Sequence, residues 1–150
     1  MRSKIFKIFI LSVAIAAIFC SCKKPKPNQW LLDNVTVVGH NPVIASFSVV
    51  APQTTTVAAG STVNLDLRYW SEDPIDKINL NATVGAAGTK QTVSTTTDQK
   101  AYSTVSRTDS LRIQYQVPTG LASGTTIALE AQIINKNTLT AATPLNLKIQ

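Results

Sequence analysis

Beyond residue 22 the chain has no cysteine, and the whole sequence holds a single histidine, His40. That imidazole falls in what reads as a linker, so a Ser/His/Asp or Cys/His relay lacks its base and a histidine-rich metal site lacks its ligands. Carboxylates are scarce too. Seven remain from residue 34 onward, as single charges on alternating segments or in turns, whereas a glycosidase needs two about 5 to 10 Å apart across a cleft. No glycine-rich loop opens a helix to cradle phosphate. The expectation is a protein that is not an enzyme and carries no cofactor, with calcium the one ion left to consider.

The formal charge of +6 points at first to nucleic acid or an anionic surface, but position decides the matter. Six of the fourteen basic residues precede residue 27, and from Asn34 onward eight basic residues face seven acidic ones. No basic patch with interleaved aromatics is left there, so nucleic acid is not an expected partner. The early charges frame a different pattern. Arg2, Lys4 and Lys7 precede twelve residues, Ile8 to Phe19, without a charge and with Ser12 as the only polar side chain, and Lys23, Lys24 and Lys26 close the run. This is a basic n-region and an apolar h-region, shorter than the roughly 20 residues a spanning helix needs.

Both cysteines follow the run, in Phe19-Cys20-Ser21-Cys22. They could pair with each other or begin a metal site, but no further cysteine completes one. The small Ser21 directly before Cys22 resembles the lipobox of bacterial lipoproteins, in which a peptidase cuts ahead of a cysteine whose thiol has received diacylglycerol. A small residue at the scissile bond selects Cys22 over Cys20, which follows the bulky Phe19. The resemblance implies a signal peptide over 1–21, lipidation of Cys22, a membrane contact through the lipid and a mature protein without a disulfide. Lys23 stands where inner-membrane retention would place Asp, so the outer membrane is the expected location, with either face open. Residues 22–41 read as the lipidated Cys and a flexible tether, with one short strand at Val35 to Val38.

From residue 42 the period changes to two. Val63, Leu65, Leu67 and Tyr69 alternate with Asn64, Asp66, Arg68 and Trp70, as on a strand with one buried face. Ile78 to Val84 and Leu111 to Val117 alternate in the same way, with Arg112 and Gln114 on the wet side. Further strands are expected at 43–50, 90–96, 126–134 and 144–149, with turn signals between them at Pro52 and Gly60, Gly85 and Gly88, Pro118 to Gly124 and Asn135 to Asn137. Residues 86–110 carry eleven Ser or Thr and little apolar surface, which suits short edge strands better than core. The fold class is all-β: a single antiparallel immunoglobulin-like β-sandwich of about seven strands over 42–150, after an N-terminal signal helix and linker.

The segments "GSTVNLDLRYWSEDPIDKINLNATV" and "YQVPTGLASGTTIALEAQIINKNTLTAATPLNLKIQ" resemble immunoglobulin-like or cadherin-like modules of bacterial outer-membrane lipoproteins. Such modules act as spacers, docking units or sugar binders, so the resemblance implies a fold and leaves the partner open between another envelope protein and a glycan. In an immunoglobulin-like order Glu72, Asp73 and Asp76 form the loop between strands B and C, and Asn135 and Asn137 fall in the loop between F and G at the same end. Their oxygens are a candidate calcium set, or else turn formers and solubilising charges. Trp70, on the polar phase beside that loop, is a candidate platform for a sugar or a cap on the sandwich rim. The combined expectation is an accessory, assembly or docking lipoprotein, with ligand capture through Trp70 as the rival.

Overall fold

The computed structural model describes residues 28–51 and 53–150; the leader, Cys20, Cys22 and the lysines after them lie outside the described residues. Contacts divide the chain into two units at Val37 and Val38. In the first, a short helix α1 spans Gln29–Asn34. Gln29 Nε2 donates to Asp33 Oδ1 at 2.9 Å, Asn34 Nδ2 donates to the Trp30 carbonyl at 2.8 Å, and the Val35 amide closes the last turn on the Leu31 carbonyl. These one-turn contacts need nothing outside the segment. The strand expected at Val35 to Val38 is absent. Those valines are exposed, and among the described residues they belong to no strand.

The second unit contains eight strands: β1 Val43–Ala51, β2 Thr56–Val57, β3 Thr62–Trp70, β4 Ile75–Val84, β5 Gln91–Thr96, β6 Asp109–Gln116, β7 Thr126–Asn135 and β8 Thr140–Ile149. They form two sheets, β1-β3-β6 and β2-β8-β7-β4-β5. Every pairing is antiparallel except that of β2 with β8. The expected two-sheet sandwich is therefore the fold. The added element is β2, two residues too short to show a period, held by the Lys148 amide on Thr55 and the Gln150 amide on Val57.

The sheets meet through the apolar phase of each strand. Val63, Leu65, Leu67 and Tyr69 of β3 are fully buried, as are Ile127, Leu129, Ala131 and Ile133 of β7. Each large side chain removed from water contributes about 1.5–3 kcal/mol, the main term opposing chain entropy. Polar residues alternate outward for the most part, but Asp66, Asn81 and Asn135 are buried strand residues, and Asp66 alone of them carries a charge. Asp66 lies on the outer face of the β1-β3-β6 sheet yet is 7 % exposed, flanked by Arg68 Nε at 3.0 Å from Oδ2 and Arg112 Nε at 3.2 Å from Oδ1. The Arg112 contact does not align as a hydrogen bond and leaves Oδ1 without a donor, so this carboxylate accepts a hydrogen bond from Arg68 on Oδ2 and meets Arg112 by charge.

Register sets the two ends apart. Val43 at the start of β1 opposes Trp70 at the end of β3, so the chain enters the sandwich beside the β3–β4 loop. Thr126 opposes Lys148 near the end of β8, which places Gln150 at the opposite end with the turns at 85–88 and 118–124.

Candidate functional site

The sequence places its acidic cluster at the end where the chain enters, and the structure resolves that cluster into separate parts. β4 begins at Ile75, earlier than expected, so Asp76 is an exposed strand residue and only Glu72 and Asp73 belong to the loop. Asn135 is the last residue of β7 and Asn137 lies in the turn after it. Asp73 and Asn137 do meet: Asn137 Nδ2 donates to Asp73 Oδ2 at 2.8 Å. The same carboxylate oxygen also accepts the His40 backbone amide.

Asn135 grips the entering chain from the other side. Its Nδ2 donates to the His40 carbonyl at 3.1 Å and to Ser71 Oγ at 2.8 Å, and its Oδ1 is buried with no donor. His40 Nδ1 stands 3.5 Å from Glu72 Oε2 and 3.7 Å from Asp73 Oδ2. Gly39 adopts φ +141, and a Cβ there would collide with the Asn137 amide and the Asp73 carboxylate. A glycine is needed where backbone passes this close to side chains. The polar groups of the two loops thus bind the chain's own Gly39-His40 segment. Among the described residues no group of three or more His, Cys, Asp or Glu stands in position to hold a metal ion.

A cleft of about 600 Å³ opens beside these loops, lined by Glu72, Asp73, Asp76, Asp98, Asp109, Lys100 and Lys136 among others. One lining residue is tied to the core: the hydroxyl of buried Tyr69 donates to Asp98 Oδ1 at 2.9 Å. Burial, and then the Asp98 carboxylate that accepts its proton, push the Tyr69 phenol well above its ordinary range. Burial and the Asp98 charge raise the Asp109 carboxyl as well. The sequence reading passed over Asp98 and Asp109. A signal was present in Tyr69, which sits on the buried phase at a strand end and so brings a hydroxyl that needs a partner.

Trp70 lies on the outer face at the end of β3, 41 % exposed and opposite the exposed Val43. It is not among the residues that line the acidic cleft. On the outer face of the other sheet, side chains join across strands in two rows. Thr95 Oγ1 donates to Asn79 Oδ1 and Asn79 Nδ2 to Gln132 Oε1; Thr92 Oγ1 donates to Asn81 Oδ1 and Asn81 Nδ2 to Glu130 Oε1. Lys90 Nζ completes the second row on Glu130 at 2.8 Å, and its hydrogen bond holds the Glu130 carboxyl below the usual carboxylate range.

No protein-family model matches the chain, and no curated protein matches it. Among solved structures it is similar to a Niemann-Pick type C2 protein from Japanese carpenter ant, with a TM-score of 0.50 and 6 % identity over 75 % of this chain and 95 % of that one. At that identity the likeness carries the β-sandwich fold alone.

Proposed function

We propose that the chain is a non-catalytic lipoprotein of the bacterial outer membrane, anchored through Cys22, whose sandwich is an accessory or docking module for another envelope protein. The observation that carries the reading is the Ser21-Cys22 pair after a basic n-region and a short apolar run. The geometry of the sandwich supports the docking part. Gly39-His40 is held by Asp73 of the β3–β4 loop and Asn135 at the end of β7, which supports an anchored side at that end of the module. The turns at 85–88 and 118–124, at the other end, contain no charged residue, and such neutral loops suit a protein surface better than an ionic ligand.

Two experiments test it. Cys22→Ala abolishes acyl labelling and membrane partitioning while Cys20→Ala leaves both intact; equal labelling of the two variants sinks the anchor. A bulky charged tag at Gly120 removes partner recovery by proximity labelling while one at Lys136 spares it, and the reverse outcome exchanges the roles of the ends. Exposed Trp70 beside Val43 favours a second reading, a glycan ligand on the outer face of the β1-β3-β6 sheet. A glycan array on the full mature chain and on Trp70→Ala distinguishes the two.

A further inference from the structure

The sandwich has an open flank between β5 and β6, the outer strands of their sheets. Residues 97–108 cross this flank beside the acidic cleft, because β5 ends and β6 begins there. Toward the opposite end the flank stays uncovered and holds a cleft of about 320 Å³. Ala82 and Val84 of β4, Val93 of β5 and Pro118 supply apolar walls, Gly88, Thr89 and the polar Gln91 a rim, and Tyr115 of β6 stands on the facing sheet. No charged residue lines the cleft. The nearest chain neighbour with a charge, Lys90, is committed to Glu130 with both carboxylate oxygens within 2.9 Å.

Tyr115 is the unusual member. It is 5 % exposed as a residue, yet its hydroxyl is not one of the fully enclosed side-chain atoms left without a partner, and the residue lines the cleft. Tyr69, buried in the same core, donates to Asp98, whereas burial alone acts on the Tyr115 phenol and raises its pKa. A hydroxyl at a cleft wall is served by water, which the acceptor of a ligand can displace. Pockets for small molecules combine mostly apolar walls with a few placed polar groups, and this cleft has that makeup.

We propose that the cleft binds an uncharged, mainly hydrocarbon molecule of about ten non-hydrogen atoms that offers one hydrogen-bond acceptor to Tyr115 Oη. The size follows from a volume near that of about ten waters at roughly 30 Å³ each. A carboxylate would lose its hydration with no cation in the lining to replace it. A sugar would set several hydroxyls against the Ala82, Val84, Val93 and Pro118 walls, where none finds a partner. The inference is independent of the lipid anchor and of the docking reading, since it rests on the flank alone.

The test uses the mature chain in nanodiscs and the probe 2-nonanone, with octanoate as a size-matched anion and nonane as the hydrocarbon without an acceptor. The expected result is saturable binding of one 2-nonanone per chain, with octanoate and nonane each weaker. Tyr115→Phe keeps the ring and removes the donor, and weakens the ketone about 3- to 10-fold without lowering the melting temperature. Val93→Trp plugs the cleft from a half-exposed position and abolishes binding; Thr89→Trp, on the exposed rim, is the second plug should Val93→Trp impair folding. The proposal is overturned by the absence of saturable ketone binding, by binding that survives a folded plug variant, by octanoate binding as tightly as the ketone, or by Tyr115→Phe leaving ketone affinity unchanged.

Discussion

At the end where β3 passes into β4, the loops carry Glu72, Asp73 and Lys136 and close on Gly39-His40 through directed hydrogen bonds. At the other end the turns reverse with backbone alone: Gly85 and Gly120 take φ +70 and +73, and the Gly85 and Gly124 amides bond the Thr126 and Ile149 carbonyls at 2.8 Å. Both ends close the same pair of sheets. The first binds a specific segment through side chains, and the second closes its turns at 85–88 and 118–124 without a charged residue. A fixed end next to the incoming chain and a permissive end away from it suit a module held on one side and used on the other.

The largest expected effect calibrates the comparison, because it touches both ends alike. Leu65→Ala removes a fully buried side chain from the shared core and costs about 2–5 kcal/mol, read as a lower denaturant midpoint at unchanged slope. A loss well below that range means that the middle of the sandwich can collapse around the gap, and that the ends are less rigidly coupled than their common strands imply.

Next come two positions on one outer face. Arg68 lies toward the charged end and holds buried Asp66 at 3.0 Å, while Gln114 lies toward the neutral end, opposite Asn64. Arg68→Ala costs about 1–2 kcal/mol by stripping a partner from a buried carboxylate, and Gln114→Ala stays within about 0.5 kcal/mol. Equal costs remove the distinction between the two halves of this face.

The loops themselves give a smaller contrast. Asp73→Ala takes an acceptor from the His40 amide and from Asn137, costs about 1 kcal/mol and abolishes hydrogen-exchange protection of the His40 amide. Thr119→Ala, in an exposed turn of the opposite end, stays within about 0.5 kcal/mol. Retained His40 protection in Asp73→Ala breaks the argument that the loop binds the incoming chain.

The smallest effect is a pH response at the border of the neutral end. Glu130 has a depressed pKa, chiefly through Lys90 and against a smaller desolvation effect. A depressed carboxyl contributes stability above its unfolded pKa of about 4.3, and that contribution is lost as pH falls through the lower folded value. With Lys90 and part of Glu130 in solvent, it amounts to under about 1 kcal/mol. Glu130→Gln flattens the unfolding midpoint between pH 5 and 3 relative to the parent, and an unchanged slope assigns the acid response to other carboxylates.

The sequence alone determined the pattern of strands, because a half-buried strand must alternate and β3, β6 and β4 from Ile78 onward do so; β5, β7 and the second half of β8 also fall where strands are expected, while β8 begins earlier, at Thr140. It also brought Asp73 and Asn137 to one end, since that follows from strand order. Only the tertiary structure decided what depends on neighbours distant in the chain. Val35 to Val38 is rich in valine as a strand is, but among the described residues it forms none. Asp66 occupies a wet phase yet is buried, because Arg112 on β6 and Arg68 close over it. Asp73 is an acidic residue in a loop by sequence and a backbone acceptor in space, because His40 returns to it across 33 positions. Tyr69 and Tyr115 are equivalent in pattern, both aromatic on buried phases, yet one hydroxyl meets Asp98 and the other meets an open apolar cleft. Periodicity is a local property that each segment carries by itself, whereas the partner of a buried polar atom is fixed by which strands pack against it.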